Sequence, residues 1–484
     1  MSARFFFCLL PFAVSLFLTS CMAGPDYEKP EVDIPASYRV EQGQAAEVSN
    51  VGWWQQFDDP VLYDLVMEAL RNNRDVRIAA ARVEEFAAYV DVTRSGLFPQ
   101  FGYDGAATRS KSSLDTVGGF PQGVDRTNDI YNASVNVGWE LDFWGKVRRA
   151  TEASRAALLA QEESRRTVIL TLVTSVANSY VDLRNLDQQL EIARRTLQAR
   201  ADSLALFELQ FKGGVVSELE VSQVRSEYEQ AAVRVPSIER QIAQRENALS
   251  VLLGRTPGPI ARGRSIDELT LPVIPTGIPS ELLERRPDIR QAEQQLIAAN
   301  AQIGVARAQY FPSISITGLF GYASTAFSEL FESSANLWNL SGAALGPIFT
   351  GGRLSGQLRV SEAVQKQVLQ GYLRTVQTAF REVDDALVDV QKRREELAAL
   401  GRQVDALKQY ARLAKLNYDE GQVSYIEVLD SQRRLFDAEL VYTQTQGLVY
   451  AALVNMSTAM GGGWIVEAEK IADEVDFPRD QEKQ

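Results

Sequence analysis

The chain runs to 484 residues, 45% apolar and 23% charged, which suits a folded protein and excludes a disordered one. A formal net charge of −13 argues against nucleic acid or anionic lipid as a main partner. The absence of histidine removes the commonest metal ligand and the usual general base near neutral pH.

Arg4 is followed by an apolar run from Phe5 to Leu18 and then by Leu18-Thr19-Ser20-Cys21. A short apolar run ending in small residues reads as a secretory signal over residues 1–20, not as a membrane span. The residues before Cys21 resemble a bacterial lipobox, which implies cleavage and lipidation at Cys21; the other reading is an ordinary signal with an incidental cysteine. Cys8 falls in the removed part, so the mature chain would carry one acylated cysteine and no disulfide despite export to an oxidising compartment. Met22 stands where an Asp, in lipoproteins of this type, signals inner-membrane retention, so the pattern resembles outer-membrane sorting. No other apolar run is long enough for a transmembrane helix.

Gly24-Pro25-Asp26-Tyr27, with Pro30 and Pro35 beyond, reads as an extended tether. After Trp53-Trp54 and Phe57, Pro60 suits the first turn of a helix with Asp59 as its N-cap, and one helical pattern runs from about Val61 to Leu97. Pro99 ends it. Phe101 and Tyr103 alternate with Gly102 and Asp104 in a strand reaching Ala107, and a polar loop follows from about Thr108 to Asp129. The clearest strand is Tyr131 to Phe143: Tyr131, Ala133, Val135, Val137, Trp139, Leu141 and Phe143 share one face, and Asn132, Ser134, Asn136, Gly138, Glu140 and Asp142 the other. A soluble sheet on a core would alternate the same way; the length and the terminal aromatics fit a membrane-spanning barrel strand better.

A very long helix is predicted from about Lys146 to Lys212, with Ile169, Val173, Val176, Tyr180, Leu183, Leu190 and Leu197 as a coiled-coil-like stripe. Gly213-Gly214 breaks it, a shorter helix runs from about Ser217 to Leu253, and a Pro/Gly-rich connector opens at Gly254-Arg-Thr-Pro257-Gly-Pro259 and reaches about Pro279. The order then repeats. Asp75-Val-Arg77 recurs as Asp288-Ile-Arg290 and Phe98-Pro99 as Phe311-Pro312, with Ile314 and Ile316 opposite Ser313, Ser315 and Thr317 in a new strand. A second strand ends at Pro347-Ile-Phe349. From Lys146/Arg353 to Gly254/Gly461 the register holds without a gap, and Val376, Phe380, Val383, Leu387, Val390, Leu397 and Val404 keep the stripe. The expected division is 1–20 signal, 21–60 tether and entry segment, 61–254 first repeat, 255–279 connector, 280–461 second repeat and 462–484 tail.

Each repeat thus offers a helix, two strands, a helix of about 100 Å at about 1.5 Å per residue, a tip and a shorter helix. Four strands leave open edges, which lipid does not tolerate. A cyclic trimer gives twelve strands and a closed barrel with a lumen. The expected fold is an α+β membrane protein whose trimer forms a 12-stranded β-barrel continued by a tube of helices.

These features resemble the TolC-type outer-membrane factors, specifically the lipidated, NodT-like efflux branch. The resemblance spans the mature chain: Cys21 with Gly24-Pro25-Asp26-Tyr27, the Trp53-Trp54-x-x-Phe57-x-Asp59-Pro60 entry, the two Phe-Pro junctions, Gly351-Gly352-Arg353, and Tyr418-x-x-Gly421-x-Val423-Ser424-Tyr425-Ile426-x-Val428-Leu429-Asp430. It implies a homotrimer with a 12-helix periplasmic α-barrel, an equatorial region from termini and connector, and docking to a periplasmic adaptor and an inner-membrane pump of the RND type. It implies export of small molecules by a passive conduit, no enzymatic activity, and no cofactor beyond the lipid on Cys21. The alternatives are a channel for type I protein secretion and a lipid-anchored coiled-coil scaffold; the scaffold leaves the duplicated strand pairs unexplained.

The most informative stretch is Gly421–Asp430, whose partner is Gly214–Gln223. Ile426 and Asp430 lie one turn apart, and Glu427 three residues from Asp430, so the three share roughly one helix face. The resemblance gives Ile426 an apolar ring and Asp430 an acidic ring at a closed periplasmic gate, Glu427 a second acidic role and Tyr418 that of a tip aromatic. Glu220 is the first-repeat counterpart of Glu427, while Gln223 replaces Asp430. The plainer reading is of solvated charges, with Asp430 paired to Arg434. Some relatives carry Arg where this chain has Val423, so their latch contact does not transfer. Gly214, Val215, Val216 and Ser217, with Gly421, Val423 and Ser424, are the expected adaptor-docking tips or, on the plainer reading, small-residue turns.

Overall fold

The computed structural model describes residues 22–40, 52–113, 126–271, 279–461 and 465–476; Cys21 lies outside them. Nine helices are described: α1 Pro60–Asn72, α2 Arg74–Ser95, α3 Lys146–Lys212, α4 Glu218–Leu252, α5 Pro279–Arg285, α6 Pro287–Ala308, α7 Arg353–Asp419, α8 Tyr425–Ala459 and α9 Ile465–Asp476. The strands are β1 Gln100–Lys111, β2 Thr127–Leu141, β3 Ser313–Ser324 and β4 Asn336–Leu345. The duplication is geometric as well as sequential. Helices α2 and α6 both have 22 residues, β1 and β3 both 12, α3 and α7 both 67, and α4 and α8 both 35.

The chain divides into two compact units. The first takes Met1–Glu31, Val83–Gln161 and Gln291–Tyr372. It contains one antiparallel sheet in the order β1-β2-β3-β4. Register places Tyr103, Val135, Phe320 and Trp338 in one row and Phe101, Val137, Gly318 and Leu340 in the next. The intervening rows carry Gly102, Asn136, Leu319 and Asn339, and Asp104, Ser134, Gly321 and Leu337. One face is therefore aromatic and aliphatic and the other mainly polar or small. Among the described residues nothing within the unit covers the apolar face: Phe101, Tyr103, Val135, Trp338 and Leu340 are all exposed.

The second unit takes Val32–Arg82, Glu162–Arg290 and Leu373–Gln484. Most of the predicted stripe is buried, with Ile169, Val173, Val176, Tyr180 and Leu183 completely or almost completely so, and Val376, Val383, Leu387 and Val390 likewise in the second copy; Leu190, Leu197, Phe380 and Leu397 are only half-buried. Trp53, Trp54 and Phe57 form a 3₁₀ turn sunk in that core. The connector is no loose linker, since Ile260, Ile266 and Leu269 are buried in the same cluster. Tyr450 donates to the Leu269 carbonyl at 2.6 Å.

Asp59 organises the entry. Its Oδ1 accepts from the Val61 and Leu62 amides and caps α1. Its Oδ2 accepts from the Tyr180 hydroxyl at 2.7 Å and the Arg264 amide at 3.0 Å. A Cβ on Gly263 would stand 2.1 Å from Asp59 Oδ1, so that position admits only glycine. Burial first, and the hydrogen bond to Asp59 second, push the Tyr180 hydroxyl well above its ordinary pKa.

Four expectations are corrected. The helix from Val61 to Leu97 is two helices, because Asn73 turns extended and its Oδ1 accepts from the Asp75 and Val76 amides. An Asn side chain competes with the helix in this way without disturbing the apolar period around it. The loop from Thr108 to Asp129 is in part strand, with Thr108 to Lys111 paired to Ile130 to Thr127; a ladder that runs on past an apolar belt loses its alternation but not its hydrogen bonds. Strand β2 ends at Leu141, two residues before Phe143, because Asp142 turns to accept from the Val147 and Arg148 amides and starts α3. Strand β4 ends at Leu345, short of Phe349.

Candidate functional site

The two tips lie in the helical unit and share their backbone chemistry. Gly214 and Gly421 take φ of 73° and 75°. The Val215 amide reaches back to the Gln210 carbonyl at 2.9 Å, and the Gln422 amide to Asn417 at 2.8 Å. Each is a Schellman closure that needs a left-handed residue, hence glycine.

The side chains then diverge. At the first tip Ser217 and Glu220 form a complete capping box: the Glu220 carboxylate accepts from the Ser217 amide at 2.7 Å, and the Ser217 hydroxyl accepts from the Glu220 amide at 3.3 Å. At the second tip the equivalent Ser424 makes no side-chain cap. Glu427 turns away to accept from the Tyr410 hydroxyl of α7. Glu427 is thus tied to the arriving helix, whereas Glu220 is spent on its own helix.

The Ser217 amide and hydroxyl hold the Glu220 carboxyl below its usual range. A depressed acid contributes stability above its unfolded pKa and loses it as pH falls through the folded value. Acidification below the carboxylate range should therefore unprotect the Ser217 amide, which donates to that carboxylate, and leave the Glu427 amide, which donates to the Ser424 carbonyl, unchanged, measured by hydrogen exchange. Equal loss at both tips would remove the distinction.

Asp430 is half-buried and paired twice, to Arg433 at 2.7 Å and Arg434 at 2.8 Å. The Arg434 contact is the plainer reading of the sequence; the Arg433 contact goes beyond it. Ile426 is 56% exposed. Tyr418 packs edge-on against Tyr425 at 5.0 Å, and Tyr425 lies 4.2 Å from the buried Phe207 of α3. Burial first, then Tyr425 and Glu220, raise the Tyr418 hydroxyl. These rings, with Val221, Val224 and Leu429, form one small core joining the first hairpin to the second. Val216 leans on that core, leaving Val215 and Leu219 as the outward apolar residues of the first tip.

Further up, Arg200 of α3 is buried, 3.2 Å from Glu227 of α4 and over the ring of Phe436 of α8 at 5.3 Å. Burial lowers its pKa and Glu227 partly restores it. Sequence reasoning missed Phe207, Tyr410 and Arg200; their positions on α3 and α7, opposite the tip helices, were the available signal. No cluster suited to a metal ion is found among the described residues.

At the other functional surface, the apolar face of the sheet is bounded by aromatics. Tyr131 meets Phe327 and Tyr322 meets Phe331 at one end, both pairs edge-on at 5.5 Å. At the other, Trp144 stacks on Phe311 at 4.6 Å and donates to the Pro312 carbonyl, and Trp139 donates to the Leu97 carbonyl. From Tyr131 to Trp139 is about 26 Å along the strand at about 3.3 Å per residue, or about 20 Å of height for a barrel strand tilted by about 40°, most of an apolar band between two aromatic girdles. Among the described residues no helix is long and apolar enough to cross a membrane.

Comparison with known proteins agrees with this geometry. The family described as "Outer membrane efflux protein" matches residues 65–255 and 278–462, one match per repeat. The cation efflux system protein CusC of Escherichia coli O6:H1 is 37% identical over 465 residues, covering 94% of this chain and 98% of that protein. The toluene efflux pump outer membrane protein TtgF of Pseudomonas putida is 36% identical over 470 residues, covering 94% and 96%. A crystal structure of CusC, described in terms of conformational changes accompanying folding and transmembrane channel formation, superposes with a TM-score of 0.82 at 34% identity, over 91% of this chain and 100% of that one.

Proposed function

Since the chain belongs to the outer membrane efflux protein family, we propose that its trimer is a passive conduit closed at the periplasmic tips by the second-repeat hairpin. The protein is the outer-membrane channel component of a tripartite efflux system, working with a periplasmic adaptor and an inner-membrane pump. The observation that carries the channel reading is the four-stranded sheet with one uncovered apolar face and two open edges, β1 and β4. Three copies closed edge to edge make twelve strands, remove every edge and turn the apolar rows to lipid. No reacting group is called for, because a conduit changes where its cargo is, not what it is.

Closure is assigned to Ile426 as an apolar ring and to Asp430 and Glu427 as charged groups held by Arg433, Arg434 and Tyr410. Tyr418 braces them through Tyr425. Glu220, committed to its cap, belongs to the supporting frame. The adaptor meets the tips through Gly214, Val216, Ser217, Gly421, Val423 and Ser424, with the exposed Val215 and Leu219 supplying the apolar contact. The pump is of the RND type, and Cys21 carries the lipid that adds a second hold on the outer membrane. Relatives named for cations and for toluene stand at 37% and 36% identity, which supports placing substrate choice in the pump.

Asp430→Ala combined with Glu427→Ala removes both acids and leaves Arg433 and Arg434 without their carboxylate. The double variant should raise single-channel conductance in planar bilayers several-fold and increase antibiotic leakage into cells. Conductance and leakage identical to the parent would end the assignment of the gate to this hairpin.

A further inference from the structure

The segment after Cys21 is seated, not loose. The Ala23 amide donates to the Trp144 carbonyl at 3.0 Å, and the Ala23 carbonyl accepts from Arg149 at 3.2 Å. Asp26 pairs with Arg149 at 2.7 Å, and the Pro25 carbonyl accepts from Asn300 at 3.0 Å. Gly24, at φ 101°, crosses Gly304 of α6 so closely that a Cβ on Gly24 would stand 2.4 Å from the Gly304 Cα. Met22 is thereby fixed against Gly145.

Beside Met22 opens a groove of about 570 Å³ between the end of α2, the start of α3 and the middle of α6. Leu97, Leu159 and Ile297 line it with Met22. Two arginines stand on its rim, Arg94 and Arg155, both exposed. Neither makes an ion pair among the described residues, whereas the neighbouring Arg148 is committed to Asp142 and Glu152 to Arg149. Two unpaired cations close to an apolar floor stand out in a chain of net charge −13. The groove's depth is set by Leu97, whose carbonyl holds the Trp139 indole of the inner girdle. The first polar layer beyond such a girdle is the phosphate layer of the periplasmic leaflet.

We propose that this groove is a binding site for one anionic phospholipid per protomer, with the phosphate between Arg94 and Arg155 and an acyl chain along Met22, Leu97, Leu159 and Ile297. Guanidinium groups suit phosphate by charge and by paired donors, and the apolar floor of Met22, Leu97, Leu159 and Ile297 suits an acyl chain. The proposal rests on the outer-membrane reading above.

The test is native mass spectrometry of the full-length trimer in detergent, titrated with dioleoylphosphatidylglycerol or with dioleoylphosphatidylcholine. Up to three phosphatidylglycerols should bind per trimer, at least tenfold tighter than phosphatidylcholine. Arg94→Gln with Arg155→Gln should bring phosphatidylglycerol down to the phosphatidylcholine level while heat-modifiable trimer and conductance stay unchanged. Equal binding of the two lipids by the parent, or undiminished phosphatidylglycerol binding by the variant, overturns the site. Binding that appears only in Cys21→Ser would assign the groove to the chain's own acyl groups and overturn it as well. Conductance on the same preparation separates the two readings: a conducting trimer without lipid preference faults the site alone, and lipid preference without conductance faults the channel alone.

Discussion

Leu340→Arg should abolish assembly in the outer membrane, while Asn339→Arg, one residue earlier on the same strand, should leave it nearly intact. Leu340 lies in the row with Phe101, Val137 and Gly318 on the sheet's apolar face, adjacent on that face to the Val135 row, which is halfway between Tyr131 and Trp139. A guanidinium facing hydrocarbon near the midplane costs about 2–4 kcal/mol, and a trimer carries three. Asn339 sits in the polar row with Gly102, Asn136 and Leu319, where the new charge faces a watery lumen. Heat-modifiable trimer on a gel and sucrose-gradient fractionation would measure both. Equal assembly of the two variants would mean that the apolar face does not meet lipid.

The second large effect belongs to the entry of the helical unit. Asp59 is 4% exposed and uses both oxygens, one for the α1 cap and one for the Tyr180 hydroxyl and the Arg264 amide. Asp59→Ala removes a cap worth about 1 kcal/mol and strands two donors at about 1–3 kcal/mol each, so a loss of about 3 kcal/mol or more is expected. Tyr180→Phe, which strands only the Gly263 amide, should cost about 1–2 kcal/mol. Asp59→Asn keeps the cap oxygen but turns a donor towards donors, and should fall between. The readout is the temperature at which purified trimer dissociates; an Asp59→Ala trimer as heat-resistant as the parent would show that the network is dispensable.

The helices and their register were readable because a 67-residue amphipathic stripe is encoded locally and occurs twice. Even the trimer followed from strand number and the intolerance of lipid for open edges. The parts that escaped depend on contacts between distant residues. Asn73 breaks a helix by a hydrogen bond that leaves the hydrophobic period intact. The outer rungs of β1 and β2 pair polar residues that carry no alternation. At the gate, the positions of Ile426 and Asp430 on one face were legible, but the bond from Tyr410 to Glu427 joins residues on either side of the turn, and Arg200 reaches two other helices at once. The N-terminal segment reads as an extended tether because its prolines forbid helix; that it is clamped on α3 and α6 depends on a groove built by residues more than a hundred positions away.

That clamp also sets an order in time. The Pro25 carbonyl meets a partner 275 residues downstream, and Gly24 needs Gly304 already in a helix before it can cross. Closing so long a loop is slow, and the reward comes only after the second repeat has formed. Residues 22–31, synthesised before the helix they cross, should therefore be among the last to be placed. Locking of the strap marks completion of the protomer, so protease resistance of residues 22–31 should rise late in refolding, after the helices have formed.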